Sequence, residues 1–207
     1  MKIYDLSVSI YTGMLKWPDD PRVILTQATS MKNGEQYNLS LLTCGTHVGT
    51  HIDAPYHFTE AGKTVDQLSL YDLIGAALVV HIDADRITAE ALRTVDLKAY
   101  KRILFKTRNS ELLKTGAFNP EYVSLDYSAA ELLVNNGVRV IGIDYLSIEA
   151  FESKTQAVHK LLTENDMIIL ESLDLSNVEP GAYVLIALPL KLKNCDGAPA
   201  RVVLIER

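Results

Sequence analysis

Sulfur, clustered positive charge and long apolar runs are all scarce in this chain of 207 residues, and each shortage closes off a class of protein. Only two cysteines occur, Cys44 and Cys195, far apart and without paired spacing, so neither a disulfide framework nor a thiolate zinc motif is expected. Cys44 precedes His47 closely, yet a small buried hydrophobe is its expected role. No stretch approaches the roughly 20 apolar residues of a membrane span, and the opening Met-Lys-Ile-Tyr-Asp-Leu lacks a long apolar signal core. A cytoplasmic protein with no membrane partner is therefore expected. Lys and Arg number 20 against 26 Asp and Glu, a net charge of -6, and no basic cluster offers an electrostatic footprint for nucleic acid. The expected partner is a small-molecule substrate. Internal repeats, low-complexity tracts and linkers are also missing. With 48% hydrophobic and 22% charged residues, the length suits one domain over residues 1–207.

What is present reads mostly as strand. β-branched or apolar runs predict strands over Lys2 to Ile10, Val23 to Thr26, Tyr37 to Cys44, Ala76 to Ile82, Arg102 to Lys106, Val138 to Ile143, Met167 to Glu171, Tyr183 to Leu192 and Arg201 to Ile205. Helices are expected at Ala89 to Thr94, at Thr155 to Thr163, and after a capping box at Ser128-Ala-Ala-Glu131 that Gly137 would stop. The order helix, glycine turn and apolar strand ending at Asp144 is that of an α/β layer on a buried sheet. The strand-rich tail, punctuated by Pro180, Gly181 and Gly197, predicts a second antiparallel or barrel-like layer.

Histidine is scarce too, with five in the chain, but three of them fall inside His47-Val-Gly-Thr-His51-Ile-Asp53-Ala-Pro-Tyr-His57. Imidazole nitrogen and carboxylate oxygen are the ligands that borderline divalent ions prefer, and His47, His51 and Asp53 would leave a coordination position open, as catalysis requires. Gly45, Gly49 and Pro55 oppose a helix while Thr46, Val48, Thr50 and Ile52 favour extended chain, which predicts an irregular strand running into a loop. The glycines would let the backbone bend so that two histidines four apart converge on one ion. His57 is either a further ligand or the group that moves protons; the proton role is preferred, because another ligand would close the site.

His159 and Glu171 are separated by a predicted helix and turn, and each could point back to the same cleft. Glu171 interrupts an apolar run, where a carboxylate is costly unless paired, metal-bound or at a wet strand end. His81 reads as a histidine at a strand end. Trp17, the only tryptophan, lies in a turn with Pro18, Asp19, Asp20 and Pro21, either as packing or as a platform for an aromatic substrate.

The eleven residues from His47 to His57 match in full the signature His-x-Gly-Thr-His-x-Asp-x-Pro-x-His, and on them the chain resembles the cyclase or kynurenine formamidase family of metal-dependent hydrolases. Trp17-Pro-Asp-Asp, Gly142-Ile-Asp-Tyr-Leu-Ser147, the His159 and Glu171 pair, Ala187-Leu-Pro-Leu-Lys and Asp196-Gly-Ala-Pro-Ala-Arg201 extend the resemblance over nearly the whole chain. It implies a swivelling β/β/α architecture of α/β class with mixed sheets, a homo-oligomer (dimer or tetramer), and one or two divalent ions per subunit, Zn²⁺ first and Mn²⁺ next. It also implies that His47, His51 and Asp53 bind one ion, that Asp53, His159 and Glu171 complete a second with Glu171 bridging, that His57 carries protons, and that Trp17 lines the substrate pocket. The chain departs from the usual pattern at Asp19, where glycine is common after Trp-Pro, and at Glu149, where aspartate is common.

The expected reaction is metal-assisted amide hydrolysis, with N-formylkynurenine, an aryl formamide, as first substrate. A divalent ion lowers the pKa of bound water from about 15.7 to roughly 7. Hydrolysis of an isatin-like lactam and metal-dependent binding without turnover are the rival expectations. A closed, purely structural metal site is a third.

Overall fold

The computed structural model describes residues 1–206. In chain order its strands and helices are β1 (Lys2–Asp5), β2 (Ile24–Thr29), β3 (Leu39–Thr43), β4 (His51–Asp53), α1 (Leu70–Leu73), β5 (Ile74–His81), β6 (Arg86–Ile87), β7 (Arg102–Lys106), α2 (Asn109–Lys114), β8 (Ser124–Leu125), α3 (Tyr127–Asn135), β9 (Val140–Ile143), α4 (Ala157–Glu164), β10 (Ile168–Glu171), β11 (Gly181–Pro189) and β12 (Gly197–Glu206). The main sheet runs β1-β12-β11-β5-β7-β9-β10-β4, and a second pairing of β4 with β12 closes it into a barrel-like ring. The strands β5, β7, β9 and β10 pair in parallel, whereas β4, β11, β12 and β1 join antiparallel. The mixed α/β architecture with a barrel-like layer is as expected.

Side-chain alternation splits the core in two. Within β7, β9 and β10, Leu104, Val140, Ile168 and Leu170 point into the barrel, beside Ile52 of β4. Their neighbours Ile103, Phe105, Ile141, Ile143 and Ile169 point outward under α3 and α4, against Leu133, Val158 and Leu162. Both faces of these strands are therefore buried, which is why they read as continuous apolar runs rather than as alternating ones.

Several expectations change. The residues Ala89 to Thr94 form successive turns, with Leu92 N donating to the carbonyls of both Thr88 and Ala89, and no helix. Helix α3 is capped by Asp126, whose carboxylate accepts from Ala129 N at 2.9 Å; Ser128 instead donates to Asp126 and receives Ala89 N. Gly137 does end α3, at φ 70°. The first predicted strand stops at Asp5, and α1 and α2 were not foreseen. Asp144, at the end of β9, accepts four hydrogen bonds from the backbone and hydroxyls of Thr107 and Ser110 and so ties β9 to α2.

Candidate metal centre and its cavity

Strand register assembles the site on the helix-facing side of the barrel wall. Ile52 is buried inside the barrel, so His51 and Asp53, one residue to either side, face outward. In the antiparallel pairing of β4 with β10, Glu171 stands directly opposite His51. On the other flank Gly197 of β12 stands opposite Asp53, where a Cβ would meet Ile52 O at 2.5 Å and the His47 ring at 2.7 Å. Only glycine leaves that volume to His47. Gly49, at φ 59°, supplies the left-handed turn by which the chain returns from His47 to His51, as the spacing of the glycines predicted. From the helical layer, α4 brings in His159.

The resulting groups converge. One ligand atom each from His47, His51 and Asp53 lie within 4.8 Å of one another, and the same holds for Asp53, His159 and Glu171 and for His47, His57 and Asp196. Asp53 is common to the first two sets, and Glu171 lies 3.4 Å from His51 of the first and 3.5 Å from His159 of the second. His51 Nδ1 lies 2.8 Å from Gly49 O and donates to it, which leaves the lone pair of Nε2 facing Asp53 Oδ1 at 3.3 Å and Glu171 Oε2 at 3.4 Å. Nε2 is buried and makes no proper hydrogen bond. A lone pair confronted by two carboxylates requires a cation between them, so the residues fit a divalent ion.

Without a metal, protons serve as that cation. Burial disfavours charge on His47, but the carboxylates of Asp53 (Nδ1 to Oδ1, 2.7 Å) and Asp196 (Nε2 to Oδ2, 2.8 Å) outweigh it and lift the imidazole to about 10. Burial likewise opposes charge on His51 and His159, and the facing carboxylates lift both to about 9. His57 goes the other way: burial and the neighbouring His47 hold it below its usual value despite Asp53. Its ring stacks on His47 with centroids 3.9 Å apart, and its Nδ1 is 3.5 Å from Asp196.

Two acids that sequence reasoning left without a role hold the imidazoles from behind. Glu149 receives His159 Nδ1 at 2.7 Å together with His159 N at 3.0 Å and Val158 N at 3.2 Å, so one carboxylate caps α4 and orients its histidine. Burial pushes the Glu149 carboxyl up, but His159 and Ser153 outweigh it and hold it at about 2. Asp196, bonded to His47 and to the hydroxyl of Thr46, also lies at about 2. Asp196 sits inside a stretch that carried the resemblance, whereas Glu149 stood out only as a departure from the pattern, two residues past another such stretch.

Above these groups opens a cavity of about 300 Å³, lined by Trp17, Asp20, His57, Phe58, Leu146, Ser147 and Gln156 in addition to the candidate ligands. Trp17 both packs and faces the cavity: its ring meets Phe118 and Phe151 edge-on at 5.6 and 5.4 Å. Asp20, not Asp19, is the acid on the cavity wall; Asp19 is exposed. His81 ends β5 on the surface, away from this site. No helix among the described residues is long and apolar enough to cross a membrane.

Comparison with known proteins agrees with this geometry. A family model described as "Putative cyclase" matches residues 4–150. Cyclase-like protein 3 of Oryza sativa subsp. japonica is 37% identical, over 99% of this chain and 80% of that protein. A kynurenine formamidase of Geobacillus thermodenitrificans is 38% identical, over 97% of this chain and 95% of its own length. Among solved structures, one described as a "predicted metal-dependent hydrolase from Bacillus stearothermophilus" superposes with a TM-score of 0.86 at 36% identity, covering 100% of this chain and 98% of that one.

Proposed function

This chain belongs to the cyclase family, and on that premise we propose that it is a metal-dependent hydrolase of non-peptide amides, with N-formylkynurenine as its substrate. The observation that carries the reading is the buried lone pair of His51 Nε2 facing Asp53 and Glu171, inside two overlapping ligand sets open to a cavity. A structural metal would be enclosed by its ligands; here the half-exposed His57 and the cavity leave room for a reactant. His47, His51 and Asp53 would hold one divalent ion and Asp53, His159 and Glu171 a second, with Zn²⁺ the first ion to test and Mn²⁺ the next. Such an ion supplies a nucleophilic water at neutral pH and polarises the amide carbonyl.

The chain's own residues do the remaining work. Trp17, Phe58 and Leu146 provide apolar walls for an aryl group, and burying a ring against them excludes bulk water from the amide. His57 accepts the proton of the attacking water at one ring nitrogen. As the carbon–nitrogen bond breaks, it returns that proton to the leaving aryl amine, so that formate and the free amine depart. Asp196, beside His57 Nδ1, orients the ring for both transfers.

The test is hydrolysis of N-formylkynurenine before chelation, after chelation, and on stepwise return of Zn²⁺ or Mn²⁺, with isatin measured in parallel. Turnover lost to chelator and restored by one ion supports the assignment. No turnover with metal bound overturns it, and hydrolysis of isatin alone would move the substrate to cyclic amides.

We also propose that the protein works as a homo-oligomer built on the β2–β3 ribbon. Ile24, Leu25, Leu39, Leu41 and Leu42 are exposed there, and neither strand contains a charged residue. A lone two-stranded ribbon is marginal in water. In a chain of net charge -6, this uncharged face is where a second copy meets least repulsion. Leu41→Asp should convert the assembly to monomers in light scattering; an unchanged mass would exclude this face.

A further inference from the structure

The cavity is unevenly charged beyond its candidate ligands. No lysine or arginine lines it; Ser147 and Gln156 are neutral, Trp17, Phe58 and Leu146 are apolar, and Asp20 is the one charged side chain left once the candidate ligands and His57 are set aside. Asp20 is also held in place. The four residues Trp17-Pro-Asp-Asp20 form a turn closed by Asp20 N donating to Trp17 O at 3.2 Å, with Pro18 at the position where its fixed φ favours such turns. Lys16 Nζ donates to the carbonyls of Trp17 and Pro18, at 3.0 Å each, and so braces the turn from the chain side instead of pairing with Asp20. At the other end the indole is wedged edge-on against Phe118 and Phe151. One rigid turn thereby presents an aromatic ring and a carboxylate to the same cavity.

A protonated amine is the chemical group that both features recognise. A carboxylate accepts a charge-assisted hydrogen bond from ammonium, and the electron-rich indole face attracts the same cation. Beyond the candidate ligands and His57, no cationic side chain in the lining would receive an anionic substituent. We propose that the Trp17–Asp20 turn is a recognition element for an ammonium group, so that the enzyme selects aryl amides carrying a protonated amine over uncharged ones of the same shape. This rests on the aryl amide reading above and names its substrate class.

Trp17 is the only tryptophan, so its fluorescence reports occupancy of the cavity directly. The metal-loaded protein is titrated with benzylammonium and with benzyl alcohol, near-isosteric probes differing in charge. Wild type should bind the ammonium about tenfold more tightly, the gap expected of one charge-assisted contact, and Asp20→Asn should erase that gap. Asp20→Lys should reverse the preference. The same charge preference in all three proteins, or none in wild type, overturns the proposal. In parallel, kcat/KM is compared for formanilides bearing a 3-aminomethyl or a 3-hydroxymethyl group, and their ratio should fall about tenfold in Asp20→Asn. Failure to hydrolyse either formanilide would remove the amide reading while the binding preference still tested Asp20; hydrolysis blind to charge would remove the role of Asp20 alone.

Discussion

The two edges of the candidate metal centre are built from the same chemistry and placed in opposite environments. On the outer edge His47 lies between Asp53 and Asp196, and the Asp196 side chain is 37% exposed. His57 stacks over this edge at the cavity mouth. On the inner edge His159 lies between Glu149 and Glu171, all about 95% buried, with Phe58 stacked on its ring at 4.4 Å. Each imidazole is gripped by two carboxylates, but only the outer one has a supporting acid that water reaches. The inner one is a fixture, oriented by an acid that also caps its helix. Asp53 joins the two edges.

The sharpest way to break this division is Asp53→Ala, which should remove both ions and reduce turnover by about 10³-fold or more. Metal content per chain, measured by elemental analysis, checks it: one retained ion would mean that the edges are independent. His57→Ala acts on the outer edge alone. It should lower kcat by about 10² to 10⁴ while the metal content stays at the wild-type value. Loss of an ion in that variant would assign His57 to the third ligand set, with His47 and Asp196, in place of a proton role.

Replacing the supporting acids tests each edge separately. Glu149→Gln should weaken binding of one ion about 10- to 100-fold and leave the other unaffected in a two-site calorimetric titration. Nitrogen NMR of His159 provides a readout that a merely structural role would not move, because loss of the Glu149 contact should mix its two tautomers. Asp196→Asn should act on the His47 edge, and less strongly, since water reaches that acid. Equal effects of the two substitutions would erase the distinction.

The smallest effect is the pH dependence of the metal-free protein. The imidazoles of His47, His51 and His159 titrate at about 10, 9 and 9 when folded, all above the ordinary value of 6.5. Their contribution to stability is full below pH 6.5 and is lost as pH rises through 9 to 10. Urea midpoints of chelated protein should therefore decline between pH 7 and 10, whereas the metal-loaded form, its imidazoles already deprotonated, should lack that decline. Parallel declines in both forms would show that these protons do not compete with the ion.

Legibility in the sequence followed the range of the interaction. His47, His51 and Asp53 were readable because one short segment with a left-handed glycine brings them together. His57 and the strand running into a turn at Pro55 lay in the same window. The His159 and Glu171 pairing rested on resemblance, since nothing local says that a helix and a strand end will face one another. The partnership of Asp196 with His47 was not readable, because the two meet across 149 residues, through the pairing of β4 with β12. Helical propensity at Ala89 to Thr94 was overridden by turns, and a serine with the capping pattern lost the cap to Asp126 two residues earlier.

The sequence by itself determined the buried strands of the α/β layer, through their apolar runs, and the convergence of His47, His51 and Asp53, through spacing and glycine. Only the tertiary structure decided which acids support which imidazole, and that Asp20 rather than Asp19 lines the cavity. The physical reason is that strand alternation and tight turns are local constraints, whereas the direction of a hydrogen bond between distant segments exists only once the barrel closes and strand register sets which side chains meet.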